Sequence, residues 1–247
     1  MAYSKTRISI VIPAKNEEVD LPNTLKSAKF ADEILILLDK NSNDNTEKIA
    51  KDFGCKIEII KFEDFATTRN LADNYAQHEW ILSIEADVTI SQELADEITK
   101  VIKENKYSAF KIKRVNQIWN KNILHTNWGP NDDTHIWLYK KGSGKWVGGI
   151  HEEYVTTEKV GKLTHPLFHL NYKTVEEFIS KMNNYSSKAS RYHLKSSPFS
   201  GLVDFLRRFL YKQGFLDGYH GLFLSYLQAL YHLSLYVKNK TKVYNYH

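Results

Sequence analysis

The stretch WILSIEADVTISQELADEI, residues 80–98, sets an apolar run against a polar crown and then a helix. Residues 80–84 form a short, almost wholly apolar segment, the pattern of a strand covered on both faces. Ser91 caps a helix that runs to about Glu104, with Leu94, Ile98, Val101 and Ile102 at helical spacing and Glu93 in the acidic first turn. Between strand and helix stand Glu85 and Asp87. Two carboxylates at i and i+2 can face one crevice if the chain leaves the extended conformation there, and such oxygen ligands select Mg²⁺ or Mn²⁺ over softer metals.

Upstream the same alternation repeats. Residues 8–12, 33–38 and 56–60 read as buried strands. Helices are expected over 20–30, with Asp20 as N-cap and Pro22 in the first turn, over 45–53 with a stop at Gly54, and over 67–77. This βαβ series predicts a mostly parallel, Rossmann-like sheet with flanking helices. Further strands are expected at 109–114, 136–140 and 145–147, the last two joined by Gly142-Ser143-Gly144. Near Thr174 the composition changes: 15 of the 32 aromatic residues lie between Phe178 and Tyr246. Helices are expected at 175–189, 199–213 and 218–238, which divides the chain into a domain of residues 1–173 and a helical extension of residues 174–247.

With 247 residues, 42% hydrophobic and only 16 Gly plus Pro, the chain can bury a sizeable core, which excludes disordered and collagen-like classes. The single cysteine, Cys55, provides neither an internal disulfide nor a structural zinc or iron–sulfur centre, and a reducing cytoplasm fits best. The opening MAYSKTRISIVIP has too short an apolar stretch for a signal peptide. The formal net charge is +5, but it is unevenly spread. Residues 178–247 hold ten Lys/Arg against two acids, or +8, and residues 1–177 hold 24 against 27, or −3. An acidic α/β part argues against nucleic acid as a partner.

In an open parallel sheet the ligand crevice lies outside the carboxyl ends of the strands. Those positions carry Pro13-Ala14-Lys15-Asn16-Glu17-Glu18, then Asp39 with a polar loop to Asn45, then Glu85-Ala86-Asp87, with Arg69 joining from the third helix. The segment after the first strand has no glycine, and neither G-x-G-x-x-G nor G-x-x-x-x-G-K-[ST] occurs, which counts against dinucleotide dehydrogenases and P-loop NTPases. A diphosphate here needs neutralisation by a divalent cation held on carboxylates.

In this order ISIVIPAKNEE, ADEILILLDKNSNDNT, ATTRNLA, WILSIEADVTISQELADEI and IHEEY resemble glycosyltransferase family 2. The segments HPLFHLNYKTVEEFISKMNNYSSKAS and GFLDGYHGLFLSYLQALY extend the likeness to lipopolysaccharide core-type β-1,4-glucosyltransferases. The resemblance implies a GT-A fold, a UDP-sugar donor carrying a hexose such as glucose, a bound Mn²⁺ or Mg²⁺, and inverting transfer. The acceptor it implies is a saccharide or lipid-linked saccharide, such as a lipopolysaccharide or other cell-surface glycan precursor. By position, Pro13, Asn16 and Glu17 would border the nucleoside, Asp39 would contact the base, Arg69 would approach the nucleotide or its diphosphate, and Glu85 and Asp87 would occupy the D-x-D position. Glu85 stands where Asp is usual, Lys40 where small residues are usual, and Trp137 where relatives often carry Arg.

Such a transfer needs a carboxylate to take the proton of the acceptor hydroxyl. The candidates are Glu152, within His151-Glu152-Glu153, and the pair Asp132-Asp133; Glu152 is favoured. His151 is a candidate third metal ligand, an orienting group or a structural residue, whereas His165 and His169, flanking an apolar PLF segment, read as hydrogen-bonded core histidines. Trp128 is a candidate wall of the acceptor pocket and Trp137 a core residue. Residues 218–237 carry no formal charge and are long enough to cross a bilayer at ~1.5 Å per residue. Ser225, Gln228 and His232 share one face, however, which suits an amphipathic or packed helix. With Arg207, Arg208 and Lys212 it is expected to form either a peripheral contact on the inner membrane face or a homo-oligomer contact. The rival classes are a sugar nucleotidyltransferase, which needs a glycine-rich basic loop that PAKNEE does not supply, and a non-catalytic carbohydrate- or membrane-binding relative.

Overall fold

In a computed structural model of the chain, residues 7–148, 152–192 and 194–241 are described. They fall into two compact units, one of residues 1–114 and 134–169, the other of residues 115–133 and 170–247. The division falls at 169/170 where the sequence predicts 173/174, and residues 115–133 group with the C-terminal helices instead of with the α/β part.

The first unit opens with β1 (Ile8–Ala14), α1 (Leu21–Ser27), β2 (Glu33–Asp39), α2 (Thr46–Asp52) and β3 (Lys56–Ile60). It continues with α3 (Phe65–Asn70), α4 (Ala72–Tyr75), β4 (Trp80–Ser83), β5 (Val88–Ile90) and α5 (Gln92–Glu104). Ile10, Val11, Ile12, Leu35, Ile36 and Leu37 are all fully buried, as strands covered on both faces require. The strands run in the order β3-β2-β1-β4, all parallel. Pro22 lies in the first turn of α1, and the Ser91 hydroxyl accepts from the Leu94 N–H to cap α5. The helix predicted over 67–77 is two short ones. Asn70, at the end of α3, exchanges two hydrogen bonds with the backbone of Trp146 (2.8 and 2.9 Å), and Leu71 closes a tighter turn onto the Thr68 carbonyl.

Beyond α5 come β6 (Ala109–Ile118), β7 (Lys121–Asn122), β8 (Thr134–Lys140), β9 (Lys145–Val147), β10 (Glu153–Val155), β11 (Val160–Lys162) and β12 (Leu167–Tyr172). The sheet is not wholly parallel: β8 lies antiparallel to both β4 and β6, and β5 antiparallel to β12, while β11 runs parallel to β6. Such a mixed sheet with a parallel core, flanking helices and a helical C-terminal extension is the GT-A type of architecture the sequence predicts.

The second unit contains residues 115–118 of β6, β7, α6 (Val175–Arg191), α7 (Ser200–Leu206) and α8 (Tyr219–Thr241). The helix predicted over 199–213 gives way after Leu206 to a π-helical turn, closed by the Lys212 N–H on the Arg207 carbonyl at 2.8 Å. Its core joins Ile118, Ile123, Phe178 and Leu224. α7 and α8 cross closely at Gly201, where a Cβ would stand 2.7 Å from the Ala229 carbonyl oxygen. Among the described residues no helix is long and apolar enough to cross a membrane.

Candidate active site

The carboxyl ends of β1 and β2 are laced together by short polar side chains. Asn16 adopts a left-handed φ of 56°, and its side-chain oxygen accepts from the Asn43 N–H at 2.8 Å, while its own N–H donates to Ser42 Oγ at 3.0 Å. The Glu17 N–H donates to Thr46 Oγ1 and the Glu18 N–H to Asp44. These bonds fix the rim of a cleft of about 250 Å³ lined by Pro13, Glu17, Asp39, Phe62 and Phe65, with Leu37 and Ile60. Three of the expected nucleoside residues thus share one cleft, and Asn16 braces its edge. Asp39 is buried at the end of β2; the Asn41 N–H at 2.8 Å, aided by the Lys15 ammonium at 3.2 Å, holds its carboxyl below the usual range against the cost of burial. Phe62 and Phe65 pack edge to face at 5.1 Å. Both follow the carboxyl end of β3, and neither is among the residues the sequence predicts for the site.

Past β4 the chain does leave the extended conformation. The Val88 N–H closes a turn on the Glu85 carbonyl, and Thr24 Oγ1 donates to the Ala86 carbonyl at 2.6 Å, tying that turn to α1. Glu85 and Asp87 therefore face the same side. The third member of the cluster is His169, paired opposite Val88 in the antiparallel register of β12 and β5. Its Nε2 lies 3.2 Å from Asp87 Oδ2 and 3.4 Å from Glu85 Oε2, and one ligand atom from each residue falls within 4.8 Å of the others. Asp87 Oδ1 is buried without a hydrogen-bond partner. An acceptor oxygen so placed costs stability unless a cation or donor arrives to satisfy it. Two carboxylates and an imidazole, with that oxygen unsatisfied, fit a divalent cation. His169 is buried and hydrogen-bonded, as expected of it, but its partner is Asp87, so it is also the imidazole that meets the acids, while His151 lies outside the described residues.

Arg69 does not open onto the cleft. Its side chain is fully buried, and its guanidinium spends its donors on three protein groups: Nη1 on Ser83 Oγ (2.8 Å), Nη2 on Glu85 Oε1 (3.2 Å) and Nε on Glu152 Oε1 (3.2 Å). It lies against the Trp137 and Trp146 rings, 5.2 and 4.9 Å from their centroids. Arg69, expected to approach the nucleotide or its diphosphate, bridges the metal-binding candidate Glu85 and the proton-accepting candidate Glu152. Arg114 adds a second guanidinium 3.1 Å from Glu85 Oε2 and 5.3 Å from the Trp137 ring. Trp137 is 5% exposed, a core residue as predicted, but one that flanks both arginines. Two arginines against Glu85, Asp87 and Glu152 leave this constellation at −1, a charge that favours a dication.

The other predicted residues lie in the second unit, each with a protein partner. Asp132 pairs with Lys212, and Asp133 is buried with its Oδ2 accepting from Asn116 Nδ2 at 2.9 Å. The Trp128 ring packs edge to face on Phe178 at 5.7 Å and under the Arg208 guanidinium at 4.9 Å. Of the base candidates, only Glu152 shares a unit with the Glu85–Asp87–His169 cluster.

The model of the glycosyl transferase family 2 domain matches residues 9–156, which span β1 to β10. An uncharacterized glycosyltransferase of Rickettsia typhi is 27% identical over 236 residues, covering 87% of this chain and 80% of that one. A counterpart in Rickettsia prowazekii is 26% identical over 237 residues with the same coverage. Among solved structures, residues 1–349 of S. aureus TarS in complex with UDP-GlcNAc are similar at 15% identity and a TM-score of 0.48, over 96% of this chain and 76% of that one. With the match covering well over half of its length, the chain belongs to glycosyl transferase family 2.

Proposed function

We propose that the protein transfers a hexose, glucose by resemblance, from a UDP-sugar to a hydroxyl of a saccharide acceptor with inversion, the acceptor being a lipid-linked precursor of lipopolysaccharide or a related surface glycan. The observation that carries this is the meeting of Glu85, Asp87 and His169 around an unsatisfied, buried Asp87 oxygen, in the same unit as a cleft suited to a planar base. Phe62, Phe65 and Leu37 offer apolar walls to the base, and the ionised Asp39 offers an acceptor for a base N–H. A Mn²⁺ or Mg²⁺ ion held by Asp87, Glu85 and His169 would supply charge stabilisation for the departing diphosphate.

Glu152 is the general base of this proposal. Arg69 fixes one of its oxygens, leaving the other to take the proton from the acceptor hydroxyl as the hydroxyl oxygen attacks the anomeric carbon and the bond from that carbon to the diphosphate breaks, releasing UDP. Because the same arginine holds Glu85, base and metal ligand keep a set separation. A screen of UDP- and GDP-sugars for nucleotide release, with Glu152→Gln beside the wild type, tests the reading. It expects slow UDP release from a UDP-hexose without acceptor, and a Glu152→Gln variant that binds UDP normally yet loses transfer by about 10²–10⁴-fold. Preference for GDP-sugars, or undiminished transfer by that variant, would overturn it.

A further inference from the structure

The C-terminal helices leave a large apolar surface uncovered. On α8, Tyr219, Phe223, Tyr226, Leu230, Leu233 and Val237 are all exposed, from 47% to 64%. Their spacings of four, three, four, three and four place them on one stripe about 27 Å long. α7 and the turn after it carry a second stripe, Phe199, Leu202, Val203, Leu206 and Leu210, each at least 44% exposed. The two stripes are joined where the Phe205 and Tyr226 rings meet at 4.6 Å.

From residue 178 onward the exposed charges have one sign. From Phe178 to His247 the sequence holds only two acids, Asp204 and Asp217. Both are buried: Asp204 is engaged by Arg207 and Arg208, and Asp217 by the backbone N–H groups of Leu124 and His125. Lys188, Arg191, Lys195, Arg207 and Lys240 are exposed. Asp132 and Glu176 are exposed elsewhere in the same unit, but the segment from residue 178 on exposes apolar and aromatic side chains together with cations and no carboxylate among its described residues. Two copies of it would bring like charges together, whereas an anionic lipid surface would meet both the rings and the cations.

We propose that the outer faces of α7 and α8 dock flat on an anionic bilayer, the rings entering the headgroup region and the lysines and arginines contacting lipid phosphates. The docking surface belongs to the second unit alone and does not depend on the donor chemistry proposed above. The full chain is tested by co-sedimentation with vesicles of phosphatidylglycerol and phosphatidylcholine, and with pure phosphatidylcholine, in low and high salt. The expected result is binding to the anionic vesicles, little to the neutral ones and release by salt. A Phe223→Ser, Leu230→Ser, Val237→Ser variant should bind at least about tenfold more weakly, since three large side chains are lost from the buried area. The same variant should keep wild-type UDP affinity and thermal stability, which shows that it folds. Equal binding to neutral vesicles, binding unaffected by the triple substitution, or a salt-resistant dimer in lipid-free buffer that leaves the vesicles unbound would each overturn the proposal.

Discussion

Glu85 receives Arg69 and Arg114 at 3.1–3.2 Å and His169 at 3.4 Å, so much of its charge is already offset, whereas Asp87 has an oxygen with nothing to accept from. The longer Glu at the first position of E-x-D thus serves as an anchor for two arginines, and in the proposed site Asp87 would be the stronger cation ligand of the pair. Arg69 has the opposite character: a charge with no solvent exposure, tolerated because two carboxylates and two indole faces surround it. Lysine would keep the charge but lose the planar fork that reaches Ser83, Glu85 and Glu152 together. Arg69→Lys should therefore lower turnover by about a hundredfold through misplacement of the base, while cation-free UDP affinity, read by calorimetry, stays unchanged. A fall in that cation-free affinity would mean that Arg69 touches the nucleotide after all.

The elements that bear the site differ in how they are specified. β1, β2 and β4 are written as apolar runs, and α5 as a cap followed by a 3.6-residue stripe, so their cores stand where the sequence predicts them. Ser91→Ala should cost about 1 kcal/mol, a drop of roughly 2–4 °C in melting temperature, measurable by calorimetric scanning; no change would mean that the cap is idle. What local pattern could not show is pairing between distant segments. The break between α3 and α4 follows from Asn70 bonding to Trp146, 76 residues away. His169 reaches Asp87, 82 residues earlier, because β12 pairs antiparallel with β5, and nothing within HPLFHL distinguishes it from a core histidine. Arg114 likewise meets Glu85, 29 residues earlier, through a contact between segments that no local pattern connects. Phe62 and Phe65 are legible from the rule that ligands gather at the carboxyl ends of parallel strands, since both follow β3.

Across the molecule, charge and stability are distributed unevenly. In the second unit, Asp204 is desolvated, yet His232, Arg208 and Arg207 hold its carboxyl well below the ordinary range. A depressed carboxyl contributes stability that is fully present above its unfolded pKa of about 4 and is lost as pH falls through the folded value. Asp204→Asn should accordingly lose about 3 kcal/mol at pH 7, roughly 6–12 °C in melting temperature. The gap to wild type should narrow below about pH 4, and a gap independent of pH would show that the pairs carry no net stability.

In the first unit, the Glu85–Asp87–His169 cluster and the Asp39 cleft are the two halves of one claim, that the chain grips a nucleotide through its base and through a cation. Isothermal titration of UDP into the wild type and Asp87→Asn, each with and without Mn²⁺, tests that claim directly. The account predicts that Mn²⁺ tightens UDP binding at least about tenfold in the wild type and not in the variant. Absence of UDP affinity in the presence of Mn²⁺, or the same enhancement in Asp87→Asn, would contradict it.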